Sequence, residues 1–183
     1  MPYKDFYDLA IVYRYVYQMG NMFSLVQMDK EIYKKLEMNE ADLFEMALKN
    51  TQRLFPVKIQ SIEEAWLEVS EAASQNKVQK LSDVSGLFIL TNVYTIYGAT
   101  IILYPGILHE IAERLDSDFF IIPLSVDQMI VIIDQDYRNA LMQREKIRNM
   151  KALDIPKEDQ LSENMYRYSR TSKKLTLITK EQM

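Results

Sequence analysis

The stretch 86–133 constrains the fold most, because it places short apolar runs on both sides of an amphipathic helix. Residues 87–90 and 100–103 precede the helix, and residues 118–122 (DFFII) and 129–133 (MIVII) follow it. Short apolar runs are typical of strands, and runs as continuous as the last two indicate strands buried on both faces. A spacing near 3.6 groups the apolar residues of the helix on one side. They are Ile107, Leu108, Ile111, Ala112 and Leu115.

The other strand signals also come in adjacent pairs. Residues 9–17 (LAIVYRYVY) are rich in β-branched and aromatic side chains, and a Gly-Asn turn signal separates them from residues 23–28. Residues 165–168 and 175–179 predict a hairpin near the C-terminus. Because strands that neighbour each other in sequence mostly pair, we predict the α+β class. The sheet is expected to be predominantly antiparallel, built from successive hairpins with helices packed on it.

Helix boundary signals are clear at three places. Asn39 suits the N-cap of a helix over 40–54, which Pro56 ends. Ser61 and Glu64 form a capping-box pattern that opens another helix. Pro105 suits the first turn of the helix in the 86–133 stretch. Two further helices are predicted over 30–36 and 137–150.

We predict a single α+β domain over residues 1–183. The polar segment 74–85 has no periodic pattern, so it is expected to be a loop and is the candidate internal boundary.

Composition excludes several common classes of function. The chain has no Cys and only one His, so disulfides and thiolate metal sites are excluded and no cofactor is predicted. No apolar run approaches the roughly 20 residues of a membrane span, and the N-terminus lacks the layout of a secretory signal. The formal net charge of −4 disfavours binding to duplex nucleic acid. A cytoplasmic protein is therefore expected.

Several segments resemble a known family in the same order along the chain. They are DLAIVYRYVY at Asp8, NEADLFEMALKNTQRLFP at Asn39, FILTN followed by GATIILYPGILHEIAERLDSDFFIIPLSVDQMIVI from Phe88, and LSENMYRYSRTSKKLTL at Leu161. They are similar to domain-of-unknown-function family 5688, a group of bacterial proteins mostly from Firmicutes. The resemblance implies that this chain corresponds to the C-terminal part of a longer protein with a further N-terminal region. It brings no activity and no catalytic residue.

Alternating tyrosines mark the first predicted strand. Tyr13, Tyr15 and Tyr17 would share one face, which either binds a partner or covers a sheet half-buried under a helix. On the opposite face of the strand, Arg14 lies between Val12 and Val16. It is therefore expected on an exposed edge or paired with a carboxylate.

The C-terminal hairpin carries the only basic aromatic stretch, in which Tyr166 and Tyr168 alternate with arginine and lysine. Aromatic stacking combined with positive charge is what single-stranded nucleic acid requires, although a solvated turn collects the same residues. The basic residues are Arg167, Arg170, Lys173 and Lys174.

A carboxylate or metal site is the chemical alternative. Asp134 and Asp136 follow a predicted buried strand and could bind a hard cation, or they could cap the next helix. His109 is the only candidate histidine base, but Glu113 stands where a zinc-protease pattern needs a second histidine.

Together these observations favour a non-enzymatic protein-interaction or structural domain. Its 12 Tyr and 11 Met are residue types that recognition surfaces use. The expected partner is protein, either a second copy or the implied N-terminal region. A carboxylate- or metal-dependent hydrolase is the alternative, and single-stranded nucleic-acid binding is the third hypothesis.

Overall fold

The computed structural model describes residues 2–20, 22–65, 86–135 and 137–179. The chain divides into two compact units, Met1–Leu54 and Phe55–Met183, and each is described by itself. The proposed internal boundary at 74–85 lies outside the described residues, and a single domain stays a prediction. In the part of the chain that is described, no helix is both long enough and apolar enough to cross a membrane.

The first unit contains two separate antiparallel hairpins followed by two helices. The first hairpin pairs Tyr3 with Val12 and Phe6 with Leu9, and the second pairs Arg14 with Gln27. The elements are β1 (Tyr3–Phe6), β2 (Leu9–Val12), β3 (Arg14–Met19), β4 (Met22–Gln27), α1 (Lys30–Lys35) and α2 (Glu40–Leu54).

The prediction of one strand over 9–17 is wrong, because the chain leaves the first hairpin at Tyr13 and enters the second. The apolar pattern runs through both strands, but β2 pairs back with β1 whereas β3 pairs forward with β4. Tyr13 packs against Met28 and Leu43, and its carbonyl accepts a hydrogen bond from the Met28 N–H at 3.0 Å. Tyr13 therefore anchors the point where the strand is interrupted.

Side-chain caps begin both helices of this unit. The N–H of Asp42 donates to Asn39 Oδ1 at 2.9 Å, which confirms Asn39 as the N-cap of α2. The N–H of Ile32 donates to Asp29 Oδ1 at 2.7 Å and begins α1 in the same way. Several partly buried residues complete the core around Tyr13, Met28 and Leu43. They are Tyr15, Ile32, Tyr33, Leu36, Phe44 and Ala47.

The second unit is built on one six-stranded antiparallel sheet with strand order β10-β9-β7-β8-β6-β5. This sheet, together with its helices, confirms the α+β class. The strands are β5 (Val57–Ser61), β6 (Leu87–Asn92), β7 (Phe119–Ser125), β8 (Gln128–Ile133), β9 (Met165–Ser169) and β10 (Lys174–Ile178). The helices that lie entirely within the described residues are a 3-10 helix (Gly98–Leu103), α3 (Ile107–Leu115), α4 (Tyr137–Asp154) and a short 3-10 turn (Lys157–Asp159).

The two central strands, β7 and β8, are buried on both faces, as their continuous apolar runs predict. On one face, Phe120 and Ile132 pack with Ala140 and Ile147 of α4. The side chains that alternate with these along the strands, such as that of Phe119, lie on the other face. On that face α3 contacts β9, and the 3-10 helix contacts β6 and β8. Every residue from Phe119 to Pro123 is buried.

The prediction of a strand over 100–103 is wrong, because these residues belong to the 3-10 helix. β6 is hydrogen-bonded to β5 and β8, so neither of its edges is open to another strand. Side chains hold the preceding loop instead: the Tyr97 N–H donates to Asp127 Oδ1 at 2.7 Å, and fully buried Asn92 accepts from the Tyr94 N–H at 3.0 Å. The apolar run thus covers the sheet without joining it.

Two helix starts were predicted in this unit. Ser61 and Glu64 form the capping box, with the Ser61 N–H donating to Glu64 Oε2 at 2.8 Å and the Glu64 N–H donating to Ser61 Oγ at 3.1 Å. Residues 62–65 are helical, and the rest of that predicted helix lies outside the described residues. Pro105 is not in the first turn of α3, since Gly106 (φ 78°) is the residue that precedes the helix.

Gly98 provides a test of how the 3-10 helix is seated. A Cβ at this position would lie 2.2 Å from Thr91 Oγ1 and 2.3 Å from the Asp127 carbonyl oxygen. We expect Gly98→Ala to lower the free energy of unfolding by about 2 kcal/mol or more, because the backbone carbonyl cannot move aside cheaply. Urea unfolding measures the change.

Gly106→Ala is the matched control for Gly98→Ala. Gly106 has a φ of 78° but no neighbour within 4 Å of its added Cβ, so only backbone strain of about 1 kcal/mol is expected. A larger loss at Gly106 than at Gly98 would contradict the tight seating of the 3-10 helix.

Candidate functional site

One face of the β3–β4 hairpin carries a continuous row of uncharged side chains, most of them exposed. Strand pairing sets Tyr15 opposite Val26, Tyr17 opposite Ser24, and Met19 opposite Met22. Because side chains alternate along a strand, these six residues lie on the same side of the hairpin. We call them the hairpin face: Tyr15, Tyr17, Met19, Met22, Ser24 and Val26.

Four apolar members of the hairpin face are exposed. The exposed fractions are 58% for Tyr17, 67% for Met19, 68% for Met22 and 47% for Val26. Directly opposed Cβ atoms in an antiparallel pair lie about 5 Å apart, so these side chains form one patch. Contiguous apolar patches on a protein surface mark interaction sites, and tyrosine and methionine are suited to them.

The three predicted tyrosines do not form one ladder. Tyr13 is buried, and burial raises the pKa of its hydroxyl, with smaller contributions from Glu40 and Tyr33. Tyr15 is half-buried beside it, and only Tyr17 is largely exposed. Arg14 lies on the opposite side of β3 from the hairpin face and is half-buried. Because Tyr15 packs against the core around Tyr13, the surface predicted from these tyrosines is reduced to Tyr17 and extended by Met19 and by residues on β4.

Arg167 joins two aspartates at one end of the six-stranded sheet. Its Nε donates to Asp134 Oδ2 at 2.7 Å, and its Nη2 donates to Asp118 Oδ2 at 2.9 Å. Asp118 directly precedes β7, Asp134 directly follows β8, and Arg167 lies on β9. Asp134, a candidate cation ligand, and Arg167, a candidate for binding nucleic acid, thus neutralise each other's charge.

Arg170 is held by carboxylates in a similar way. Its side chain donates from Nε to Glu113 Oε1 at 2.8 Å and contacts Asp116 through Nη1. Its backbone N–H donates to Asp118 Oδ1 at 2.8 Å. The Arg170 hydrogen bond is the main cause that lowers the pKa of Glu113. These ion pairs join the turn after β9 to the C-terminal end of α3.

The residues proposed for acid–base or metal chemistry do not converge. His109 Nδ1 lies 3.9 Å from Glu113 Oε1, without a hydrogen-bond partner in the described part of the chain. Asp134 is bound to Arg167, and Asp136 lies outside the described residues. Within the described ranges, no group of three His, Cys, Asp or Glu side chains is placed to hold a metal ion.

Tyr166 and Tyr168 lie in the core and do not form a stacking surface. Tyr166 is fully buried, and Tyr168 stacks on Phe119 with ring centroids 5.3 Å apart. Burial raises the pKa of Tyr168, and the negative charge of Glu113 adds to the effect. The bases of a nucleic acid therefore have no access to these rings in this conformation.

Sequence reasoning missed the exposed methionines and the full ion-pair cluster. Met19 and Met22 directly flank the Gly20-Asn21 turn, and apolar side chains beside a turn were the available signal. Asp118 stands at the start of the run DFFII, where the apolar residues that follow give no sign of an ion pair. Its pairing with Arg167 depends on the strand register, which the sequence does not give.

The fold and its surface define an α+β protein with an antiparallel sheet and a separate hairpin unit. The chain belongs to the family of unknown function DUF5688, whose model matches residues 1–170. No curated protein and no solved structure is significantly similar to it. That the chain corresponds to the C-terminal part of a longer protein stays a prediction.

The ion pair of Glu113 predicts a specific pH dependence. Its pKa is lower in the folded protein than its ordinary value of 4.5, so the stabilisation is present above that pH and is lost as the pH falls through the folded pKa. Below about pH 5, we expect the unfolding temperature of the wild type to fall more steeply than that of Glu113→Gln.

Glu110→Gln is the control for Glu113→Gln. Glu110 lies on the same helix, and no ion pair of its side chain is found among the described residues. Its variant should therefore follow the wild-type pH profile. If Glu113→Gln also followed the wild type, the ion pair with Arg170 would not contribute to stability in solution.

Proposed function

We propose that this protein is a non-enzymatic protein-interaction domain and that the hairpin face is its contact surface. The observation that carries the proposal is the exposure of Tyr17, Met19, Met22 and Val26 on one side of a two-stranded hairpin. A two-stranded hairpin is only marginally stable on its own in water, so a partner that covers one face would also stabilise the hairpin. A cytoplasmic location in a Firmicutes bacterium belongs to the same proposal and is based on the family resemblance.

Three arginines give further support, because each already has a partner within the chain. Arg167 and Arg170 are paired with carboxylates. Buried Arg144 donates from Nε to the Glu163 carbonyl oxygen at 3.0 Å and pairs with Glu145. Side chains engaged in this way hold the fold together, whereas the exposed apolar side chains have no comparable role in the hairpin.

Energetics set a requirement on the partner. Full burial of a large apolar side chain contributes roughly 1.5–3 kcal/mol, so each of the four exposed side chains can contribute about 1 kcal/mol or more. Association costs at least about 4 kcal/mol. The hairpin face therefore offsets little more than that cost by itself, and the partner has to bring a comparable apolar surface.

Site-specific photo-crosslinking in the cell tests the proposal. A benzophenone amino acid at Tyr17 should give a discrete protein adduct, because the side chain lies in the middle of the contact surface. The adduct should disappear when Met22→Lys is added, since a charge on the face has to be desolvated on binding.

Tyr3 is the matched control position, because it has the same exposed fraction of 58% but lies on β1, outside the hairpin face. Benzophenone there should give no such adduct. Equal adducts at the two positions, or an adduct at Tyr17 that survives Met22→Lys, would count against the hairpin face as the contact surface.

A further inference from the structure

We infer that Met19 and Met22 form a reversible oxidation site, where conversion of the two thioethers to sulfoxides makes the tip of the hairpin polar and releases the bound partner. The site itself follows from composition, exposure and strand pairing. Its effect on a partner rests on the proposed function, and it names how that contact is regulated.

Methionine is the side chain through which this protein can respond to a mild oxidant. The chain contains no Cys, so no thiol competes for the oxidant, and it has 11 Met. A sulfur atom reacts only where the oxidant can reach it, so exposure decides which methionines are oxidised. Met28, Met129 and Met165 are buried, whereas Met19 and Met22 are largely exposed. Oxidation at the tip of the hairpin therefore precedes oxidation in the core.

The two exposed methionines lie together at one accessible place. Met19 and Met22 are directly paired across the strands, so their Cβ atoms lie about 5 Å apart. A Cβ added at the neighbouring Gly20 would meet no atom within 4 Å, so the space beside the turn is open. Met46 and Met142 are also exposed, but each lies on a helix, outside the hairpin face. Oxidation of the pair thus changes one small surface twice.

The reaction is a two-electron oxidation of each sulfur atom by a hypohalous acid. With hypochlorous acid, an S–O bond forms and the O–Cl bond breaks, so that the sulfur is oxidised, the chlorine is reduced to chloride, and a proton is released. The sulfoxide is polar where the thioether was apolar. Methionine sulfoxide reductases reverse the change with electrons from a dithiol, which becomes a disulfide as the oxygen leaves as water.

Oxidation removes the property that makes the hairpin face a contact surface. The core of the unit covers this side of the hairpin only as far as Tyr15, so the part left for a partner is the part that carries the methionines. A sulfoxide oxygen that is buried without a hydrogen-bond donor costs free energy. Because two such oxygens enter the same contact, binding should weaken by about tenfold or more.

Limited oxidation of the full chain tests the site. The tryptic peptide that covers residues 15–30 contains Met19, Met22 and Met28, so mass spectrometry compares all three in one fragment. With limiting hypochlorous acid, Met19 and Met22 should gain oxygen about ten times faster than Met28 or more, because only Met28 is buried. In urea the three should react at similar rates. Equal rates in the folded protein would overturn the oxidation site.

Photo-crosslinking from Tyr17 in the cell tests the consequence. Brief treatment with hypochlorous acid should lower the adduct by about tenfold or more. With protein synthesis blocked, the adduct should return after the oxidant is withdrawn, as the reductases act. An adduct that is insensitive to the oxidant would overturn the proposed regulation.

Leucine variants separate oxidation of this site from oxidation of the partner. Leucine is close to methionine in volume and has no sulfur, so in Met19→Leu with Met22→Leu the ratio of treated to untreated adduct should stay near one. Each single variant keeps one methionine and should show a smaller drop than the wild type, which supplies the comparison even where the double variant forms no adduct. A drop of the wild-type size in these variants would place the sensitive methionines elsewhere and overturn the inference.

Two further variants complete the test. Met142→Leu is the matched control, because Met142 is exposed on α4 and outside the hairpin face, and its adduct should stay as sensitive to the oxidant as that of the wild type. Met19→Gln with Met22→Gln places a permanent polar group at both positions, so its adduct should be low without any oxidant.

Failure of the oxidation site and failure of the proposed function give different results. Selective oxidation of Met19 and Met22 that leaves the Tyr17 adduct unchanged overturns the regulation and leaves the protein-interaction function standing. A lack of any Tyr17 adduct before oxidation overturns the proposed function. The site is then judged by retention of the full chain on a hydrophobic column, which should fall on oxidation of the wild type but not of Met19→Leu with Met22→Leu. Unchanged retention of the wild type would overturn the site as well.

Discussion

Burial of β7 and β8 on both faces is the constraint on which the second unit depends. Residues from Phe119 to Pro123 and from Met129 to Ile132 are buried without interruption, so water has to be excluded from both sides of the sheet. α4 covers one side, and α3 covers the other together with the 3-10 helix. The loop before the 3-10 helix is held in place by side chains, because buried Asn92 and Asp127 accept hydrogen bonds from its backbone N–H groups. These hydrogen bonds position the 3-10 helix over the sheet.

Much of this fold could be predicted because its signals are local. The runs DFFII and MIVII specify buried strands, and the Asn39 cap and the Ser61–Glu64 capping box specify helix starts. The two wrong strand predictions both concern apolar segments whose partners are distant in sequence. Residues 100–103 have the composition of a strand, but β6 is already paired on both edges, so the segment folds as a 3-10 helix. Tyr13 lies inside a strand-like run, yet its packing against Met28 and Leu43 interrupts the strand.

The candidate sites were predictable to a smaller extent, because chemistry depends on which side chains meet. Asp134 and Arg167 were each identified, for opposite reasons, and only the register of β7, β8 and β9 shows that they pair. The exposure of Met19 and Met22 could not be read from their hydrophobicity, which favours burial. The core of the unit covers that side of the hairpin only as far as Tyr15, so the methionines beside the turn stay exposed, and this is a property of tertiary structure.

Polar and apolar groups therefore point to different roles in this molecule. A charged side chain is costly to bury alone, so Arg144 and Arg170 have their partners within the same unit, and their contacts stabilise the fold. An exposed apolar side chain needs no such partner. It contributes favourable free energy only when another surface removes it from water. Where several such side chains share one face and none is charged, the surface favours an apolar partner over a charged one.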